Sequence, residues 1–173
     1  MPEEVILVDE HDEPLGTSEK LAAHRTGDLH RAFSIFIFNA QGEMLLHRRA
    51  KGKYHSGGLW TNACCSHPRP GEATEAAAHR RLQEEMGFDT ELEEVFQFIY
   101  RAVFENDLIE HEYDHVFVGT YDGDPEPDPA EVGDWAWVDL EELERDLEKR
   151  PERYTPWFRK VAERVINEFA PLD

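Results

Sequence analysis

The seven residues from Ala32 to Phe38 (AFSIFIF) place the strongest constraint on how this chain can fold. The run is rich in phenylalanine and isoleucine, and its length and composition are typical of a strand that is buried on both faces of a sheet. The tetrapeptide Asn-Ala-Gln-Gly at 39–42 supplies turn chemistry, so residues 44–49 are predicted to return as a second strand. The sequence therefore predicts a sheet whose centre is formed early in the chain.

Further strands are predicted in the second half of the chain. Residues 92–104 and 108–121 are expected to form a strand pair joined around Asn106 and Asp107, and residues 135–138 a short strand. Residues 50–71, which are rich in glycine and proline, are predicted to form a loop.

Helices are predicted between and after these strands. One covers residues 74–86 and stops at Gly87. A second starts at Asp139, which makes a capping box with Glu142, and runs through residue 147. A third is opened by Thr155 as N-cap and Pro156, and runs to about residue 169. Interleaved strands and helices predict an α/β sandwich with a mixed sheet.

Size and charge restrict the partners of the chain. Its 173 residues suit a single domain over 1–173. A net charge of −20 excludes nucleic acid and anionic membranes as expected partners. No apolar run reaches the roughly 18 residues of a membrane span, and the acidic start MPEEVILVDEHDE lacks the regions of a signal peptide. We therefore expect a cytoplasmic monomer that binds a small molecule, with a dimer as the alternative.

Two features of the composition indicate the environment in which the protein works. The acidic residues number 38 against 18 basic ones, and few of the basic ones are lysine, which is typical of salt-adapted proteins; a merely acidic protein is the alternative. The two cysteines, Cys64 and Cys65, are adjacent, and we expect free thiols in a reducing compartment.

The segment 66–88 resembles the Nudix box, and this resemblance implies a Nudix-type α/β/α sandwich. Several carboxylates on one short helix attract Mg²⁺, although a solvated acidic helix with an Arg81–Glu85 pair is the simpler alternative. Two positions depart from the box: Ser66 stands in place of a glycine and Arg81 in place of a glutamate. The matching positions are Glu72, Arg80, Leu82, Glu84, Glu85, Gly87 and Phe88.

The arginine departure is found in one branch of that family, the type 1 isopentenyl-diphosphate isomerases, and the chain resembles this branch over nearly its whole length. Its most specific segments are Cys65-Ser-His-Pro68 and Glu110-His-Glu112. The remaining matching segments are Thr17–His24, Leu29–Ser34, Leu45–Ala50, Gly58–Cys64, Tyr100–Ala102 and Tyr154–Phe158.

The resemblance implies a cation site made of His24, His30, His67, Glu110 and Glu112. Residues two apart on a strand share a face, so Glu110 and Glu112 are expected to converge while His111 points away. Three imidazoles and two carboxylates favour Mn²⁺ or Mg²⁺, with Zn²⁺ as the alternative. The other histidines are predicted to be surface residues: His11, His47, His55, His79, His111 and His115.

The resemblance also implies an acid–base pair, because the double bond must be protonated at one carbon and a proton removed from another. Cys65 and Glu112 are the implied pair on opposite faces of the substrate, with Tyr100 sharing or relaying the proton of Glu112. Trp157 is implied to shield the developing carbocation by its ring face, and Trp60 is a second candidate. Cys64 is expected to be a packing residue.

Diphosphate binding is implied for a set of basic residues and one hydroxyl. Arginine clamps phosphate oxygens in pairs, whereas lysine acts as a point charge. A Mg²⁺ carried by Glu85 is expected to bridge protein and diphosphate. The implied residues are Lys20, Arg49, Lys53, Ser66 and Arg81.

The resemblance implies an enzyme that interconverts isopentenyl diphosphate and dimethylallyl diphosphate, and two other functions compete with this one. A Nudix diphosphohydrolase is favoured by the box itself but opposed by Arg81, Cys65 and the histidine set. A non-catalytic Nudix binding module would not need Cys65 and Glu112 together.

Overall fold

A computed structural model describes residues 3–53 and 55–171. Within these residues the chain forms nine strands, four α-helices and one 3₁₀ turn at Pro151–Arg153. The strands are β1 (Glu4–Val8), β2 (Pro14–Glu19), β3 (His30–Phe38), β4 (Met44–Arg49), β5 (Trp60–Thr61), β6 (Cys64–Ser66), β7 (Leu92–Val103), β8 (Ile109–Thr120) and β9 (Val132–Val138). The helices are α1 (Lys20–Thr26), α2 (Thr74–Met86), α3 (Leu140–Lys149) and α4 (Pro156–Phe169).

Strand β3 is the centre of the sheet, as its apolar sequence predicts. It pairs in parallel with β8, from His30 opposite Glu112 to Phe38 opposite Thr120. It pairs antiparallel with β1, β4 and β6. Strand β8 also pairs antiparallel with β7, and β4 with β5 and β9. One parallel pair among antiparallel ones makes the sheet mixed, which confirms the prediction.

Apolar layers cover both faces of the sheet. Phe36 and Phe38 of β3 belong to a core that includes Phe158 of α4 and Leu143 of α3. The alternate residues of β3, such as Ile35, belong to a second core with α2. Since successive side chains of a strand point to opposite faces, this alternation builds the predicted α/β/α sandwich.

The predicted helices and the long strand pair are present, with corrections at their ends. Helix α2 has the predicted bounds, and Asp139 accepts a hydrogen bond from the backbone N–H of Glu142 at 3.1 Å, as an N-cap should. Helix α3 continues past residue 147 to Lys149. Thr155 was expected to cap α4 but makes no capping bond, because its hydroxyl donates to Thr61 Oγ1 at 2.9 Å.

The prediction of a continuous loop over 50–71 is wrong. This segment contains β5 and β6, and β6 pairs with β3 so that Cys65 lies opposite Ser34. Two- and three-residue strands carry no readable periodicity, and they form here because neighbouring strands offer unpaired backbone groups. Strands β1 and β2 and helix α1 were also not predicted. None of the helices in the described part of the chain has the length and apolar character of a membrane span.

Candidate active site

A small pocket opens where β6 and β8 meet the start of α4. Strand β6 sends its two cysteines to opposite faces of the sheet, and Cys65 faces this pocket with Ser66 beside it. The residues that line the pocket are Arg49, His55, Cys65, Ser66, His67, Glu110, Glu112 and Trp157. Three of the predicted substrate-binding side chains therefore line the same pocket: Arg49, Ser66 and Trp157.

A buried cluster of imidazoles and carboxylates lies at the inner side of this pocket. Ligand atoms of His24, His30, His67 and Glu112 all lie within 4.8 Å of one another. His67 Nε2 is 2.8 Å and His30 Nε2 is 3.4 Å from Glu112 Oε2. His24 Nε2 lies 3.9 Å from Glu110 Oε2. The structure thus brings together the five residues that the sequence proposed as cation ligands.

The backbone fixes which nitrogen of each ring faces the cluster. His24 Nδ1 lies 2.7 Å from the carbonyl oxygen of Lys20, and His30 Nδ1 lies 2.9 Å from that of Asp28. We assign the ring proton to Nδ1 in both residues, because a carbonyl can only accept. Each Nε2 is then an unprotonated nitrogen directed at the cluster, as in known metal sites.

Protonation in the cluster also suits a divalent cation. Burial lowers the pKa of His24 and of His67 to about 4, so both are neutral at pH 7. Burial alone would raise the pKa of Glu112, but the nearby His30 and His67 rings outweigh it and lower that pKa. Burial would lower the pKa of His30, but the Glu112 carboxylate outweighs it and raises that pKa. Neutral imidazoles and an ionised carboxylate are the forms that bind divalent cations. The residues present therefore fit such an ion.

The arrangement of β8 confirms the predicted alternation. Glu110 and Glu112 are buried on the pocket side. His111 points the other way, where its Nδ1 lies 3.0 Å from the carbonyl oxygen of Gly27. Asp114 continues the same face and is fully buried, yet it was not predicted as part of the site. Its place two residues after Glu112 was the signal that could have indicated it.

The Cys65 thiol is held by polar neighbours on several sides. The indole N–H of Trp157 donates to its Sγ at 3.1 Å, and the thiol lies 3.1 Å from Asn62 Oδ1. Ser34 Oγ is 3.6 Å away and donates to Asp114 Oδ2 at 2.9 Å. Burial and the nearby Asp114 carboxyl raise the pKa of Cys65. At neutral pH this group is therefore a thiol.

Tyr100 lies beside the carboxylate cluster on β7. It stands directly opposite Glu112 in the β7–β8 register and is buried. Within the described residues its hydroxyl has no hydrogen-bond partner. Burial and the carboxylates of Glu110 and Glu112 raise its pKa, so the phenol keeps its proton at neutral pH.

A second acidic centre lies on the opposite face of β6, against α2. Arg81 donates to Glu85 Oε1 at 2.8 Å, and the thiol of Cys64 donates to Glu85 Oε2 at 2.6 Å. Cys64 was predicted to be a packing residue, and this is incomplete: it is fully buried, but its S–H also holds Glu85. Burial raises the pKa of Glu85.

Of the predicted diphosphate-binding cations, Arg49 lines the pocket, whereas Lys20, Lys53 and Arg81 are not among its lining residues. Arg49 is buried, and its guanidinium donates to the carbonyl oxygen of His55 at 3.2 Å. Lys53 pairs with Glu131, and Lys20 with Glu3 at 3.3 Å. Trp60 was a candidate for lining the pocket, but it lines a separate groove with Leu143 and Tyr154 instead.

Three histidines that were predicted to lie on the surface are buried, so that prediction is wrong for them. His47 lies 3.1 Å from the carbonyl oxygen of Ala63, and His115 lies between Asp12 and Glu94 at 2.9 and 3.1 Å. His55 lines the pocket itself. Nothing local in the sequence marks it, because the carboxylate that it contacts comes from β8, far along the chain.

Comparisons with known sequences show what this chain is similar to. The family model of the NUDIX domain matches residues 28–158. The chain is 57% identical to isopentenyl-diphosphate Delta-isomerase 2 of Aromatoleum aromaticum, over 96% of this chain and 88% of that protein. It is 55% identical to isopentenyl-diphosphate Delta-isomerase 2 of Photorhabdus laumondii, over 93% and 91%.

Solved structures support the fold. The crystal structure of DR0079 from Deinococcus radiodurans matches with a TM-score of 0.79 at 21% identity, covering 94% of this chain and 98% of that one. The MutT protein from Methanosarcina mazei matches with a TM-score of 0.67 at 23% identity, covering 81% and 94%. At these identities the likeness concerns the sandwich alone.

Proposed function

Because this chain belongs to the isopentenyl-diphosphate Delta-isomerases of the NUDIX family, we propose that it interconverts isopentenyl diphosphate and dimethylallyl diphosphate within the pocket around Cys65. The observation that carries the proposal is that Cys65 and Glu112 line one pocket directly beside the buried imidazole–carboxylate cluster. The reaction adds a proton to one end of the double bond and takes a proton from the carbon on its other side. No net proton is consumed.

Cys65 serves one face of the substrate. As a thiol it presents a proton, and as a thiolate it accepts one. The indole N–H of Trp157, 3.1 Å from Sγ, donates to the thiolate and stabilises it. The same indole stands at the pocket wall, where its ring face attracts a developing carbocation by about 0.5 to 2 kcal/mol.

Glu112 and Tyr100 serve the other face. Glu112 is ionised, which makes it a proton acceptor, whereas the buried Tyr100 keeps its proton. In these protonation states the Cys65 thiol delivers its proton to one end of the double bond, and the ionised Glu112 accepts the proton that leaves the carbon on the other side. The Tyr100 hydroxyl would share or relay the proton that Glu112 takes up. Their direct opposition across β7 and β8 supports this pairing.

The cluster of His24, His30, His67, Glu110 and Glu112 would hold Mn²⁺ or Mg²⁺, with Zn²⁺ as the alternative. Such an ion supplies positive charge that keeps the carboxylates ionised. Glu85 would hold a Mg²⁺ that offsets the charge of the diphosphate, and Arg49, Lys20, Lys53, Arg81 and Ser66 would bind the phosphate oxygens. These local cations oppose the overall negative field of the molecule.

Hydrolysis is disfavoured by Arg81. Its guanidinium binds Glu84 at 3.1 Å and Glu85 at 2.8 Å. Arg81 stands where the box has a glutamate, so one carboxylate fewer remains to hold the several metal ions that hydrolysis would use.

Incubation with isopentenyl diphosphate in deuterated water, followed by NMR, tests the proposal. We expect dimethylallyl diphosphate with deuterium incorporated and no released phosphate. Cys65→Ala should lower turnover by at least about 10³-fold, which corresponds to ~4 kcal/mol of transition-state stabilisation.

The matched control for this experiment is Cys64→Ser, which keeps a donor toward Glu85 and should retain most of the activity. Near-normal turnover by Cys65→Ala would assign the chemistry to another group. Release of phosphate by the unmodified protein would make it a hydrolase.

A further inference from the structure

We propose that His55 is a positioning residue that holds two parts of the active site at once. Its imidazole orients Glu110 at the cation cluster, and its main-chain carbonyl orients Arg49 in the pocket. The inference rests on the proposed function, which assigns Glu110 to a cation and Arg49 to the diphosphate.

Both nitrogens of the His55 imidazole lie close to polar side-chain atoms. Its side chain is 1% exposed, and its Nε2 lies 2.6 Å from Glu110 Oε2. Its Nδ1 lies 3.1 Å from the hydroxyl oxygen of Ser56. A hydroxyl can donate whereas a carboxylate can only accept, so we assign the ring proton to Nε2. His55 Nε2 then lies in close polar contact with Glu110 Oε2, the same oxygen that faces His24.

His55 lies at the edge of the cation cluster, next to the carboxylate of Glu110. The group of mutually close ligand atoms contains His24, His30, His67 and Glu112 but not His55. His55 belongs with His24 and Glu110 to a second group whose ligand atoms lie close enough together to hold a cation, and within it His55 contacts Glu110 at 2.6 Å. Partners that lie one step outside a metal site and hold its ligands by hydrogen bonds fix the orientation of those ligands.

The ring of His55 is also packed independently of its N–H. It stacks on Phe104 with centroids 4.4 Å apart and planes inclined by 9°. It meets Trp157 edge-on at 5.8 Å and 84°. This packing fixes the backbone of His55, whose carbonyl accepts from Arg49 at 3.2 Å. Arg49 in turn lies 5.2 Å over the Trp157 ring, which closes a cycle of three contacts.

Because hydrogen bonding and packing use different atoms, substitutions separate the two roles. His55→Phe keeps a flat ring on Phe104 and the carbonyl for Arg49 but removes the N–H. His55→Gln restores an N–H that reaches toward Glu110. His55→Ala removes both.

The primary measurement is the affinity of the purified full-length protein for Mn²⁺ alone, by competition with a chelator. His55→Phe should weaken Mn²⁺ binding by about 10- to 100-fold, and His55→Gln should recover most of this loss. The second measurement is the KM for isopentenyl diphosphate at saturating Mn²⁺. It should stay unchanged in His55→Phe and rise in His55→Ala, because only the latter frees the backbone beside Arg49.

His79→Phe is the matched control, since His79 lies half-buried on α2 against Asp89, outside the pocket. It should change neither quantity. Equal Mn²⁺ affinity in the unmodified protein and His55→Phe would overturn the role of His55, as would the absence of any Mn²⁺ binding by the unmodified protein. Unmodified protein that binds Mn²⁺ tightly but isomerises nothing would overturn the proposed function, while the affinity series would still decide the role of His55.

Discussion

Cys64 and Cys65 are neighbours in the sequence but belong to different environments. A strand sends successive side chains to opposite faces. Cys65 therefore faces the pocket and receives the indole N–H of Trp157, whereas Cys64 faces α2 and donates to Glu85. The register of β6 against β3 determines which thiol faces the pocket, and this is the thiol that we propose for the acid–base chemistry. A one-residue shift of that register would exchange the two thiols.

The cation cluster yields a prediction for His67. Its Nε2 lies 2.8 Å from Glu112 Oε2. Replacing His67 therefore removes one of the proposed cation ligands, the one beside the Glu112 carboxylate. Treatment with a chelator should abolish isomerisation, and Mn²⁺ or Mg²⁺ should restore it. His67→Asn should lower the bound metal, measured by elemental analysis, while the circular dichroism spectrum stays that of a folded domain. Full activity in a preparation verified to be free of metal would contradict the assignment.

The extent to which these residues were predictable differs from one to the next. His24, His30 and His67 were identified because the segments around them resemble a known family. His55 carried no such signal, and its role depends on a carboxylate that the fold brings from β8. Sequence patterns report which face of an element is apolar, but they do not report which polar side chains meet across elements.

At the scale of elements, the end of α2 depends on one glycine. Gly87 has φ of 75°, in the left-handed region, and its N–H bonds to the carbonyl oxygen of Gln83. A Cβ at this position would lie 2.4 Å from the carbonyl oxygen of Glu126. The same loop donates from Glu126 N to the carbonyl oxygen of Met86 at 2.8 Å. The C-terminal end of α2 and the loop around Glu126 therefore contact each other through their backbone atoms.

Gly87→Ala should therefore destabilise the protein through both strain and this close contact. We expect the free energy of unfolding to fall by about 2 kcal/mol or more, and the melting temperature by about 4–8 °C. Thermal unfolding followed by circular dichroism measures this. Gly52→Ala is a suitable control, because a Cβ at Gly52 meets no atom within 4 Å. An unchanged melting temperature for Gly87→Ala would show that the loop around Glu126 moves to accommodate the methyl group without loss of stability.

The elements themselves were predictable in proportion to their length. Helix α2 and the β7–β8 pair have enough residues to show a pattern, and both were predicted nearly to their ends. Strand β6 has three residues, and its existence depends on pairing with β3. That short strand nevertheless carries Cys65, so the part of the fold that was hardest to predict positions the proposed chemistry.

At the scale of the whole molecule, the site must bind a diphosphate inside a protein whose net charge is −20. Groups that could hold cations lie on both faces of the sheet. One face holds the imidazole–carboxylate cluster, and the other holds Glu85 with Arg81. Cations at both centres would make the pocket locally positive while the outer surface stays acidic. We predict that the acidic surface is a salt adaptation.

Molar KCl should raise the melting temperature of the protein by about 5 °C or more, because a Debye length of roughly 3 Å screens the repulsion among surface carboxylates. A variant carrying Glu144→Gln, Glu148→Gln and Glu163→Gln, three exposed positions on α3 and α4, provides the matched comparison. With fewer like charges to screen, it should be more stable at low salt and gain less from KCl. Thermal unfolding in KCl from about 0.05 to about 2 M, a range over which screening becomes strong, measures the stability at low salt and the gain from KCl. A melting temperature that stays flat or falls with KCl would leave the acidic surface without a role in salt adaptation.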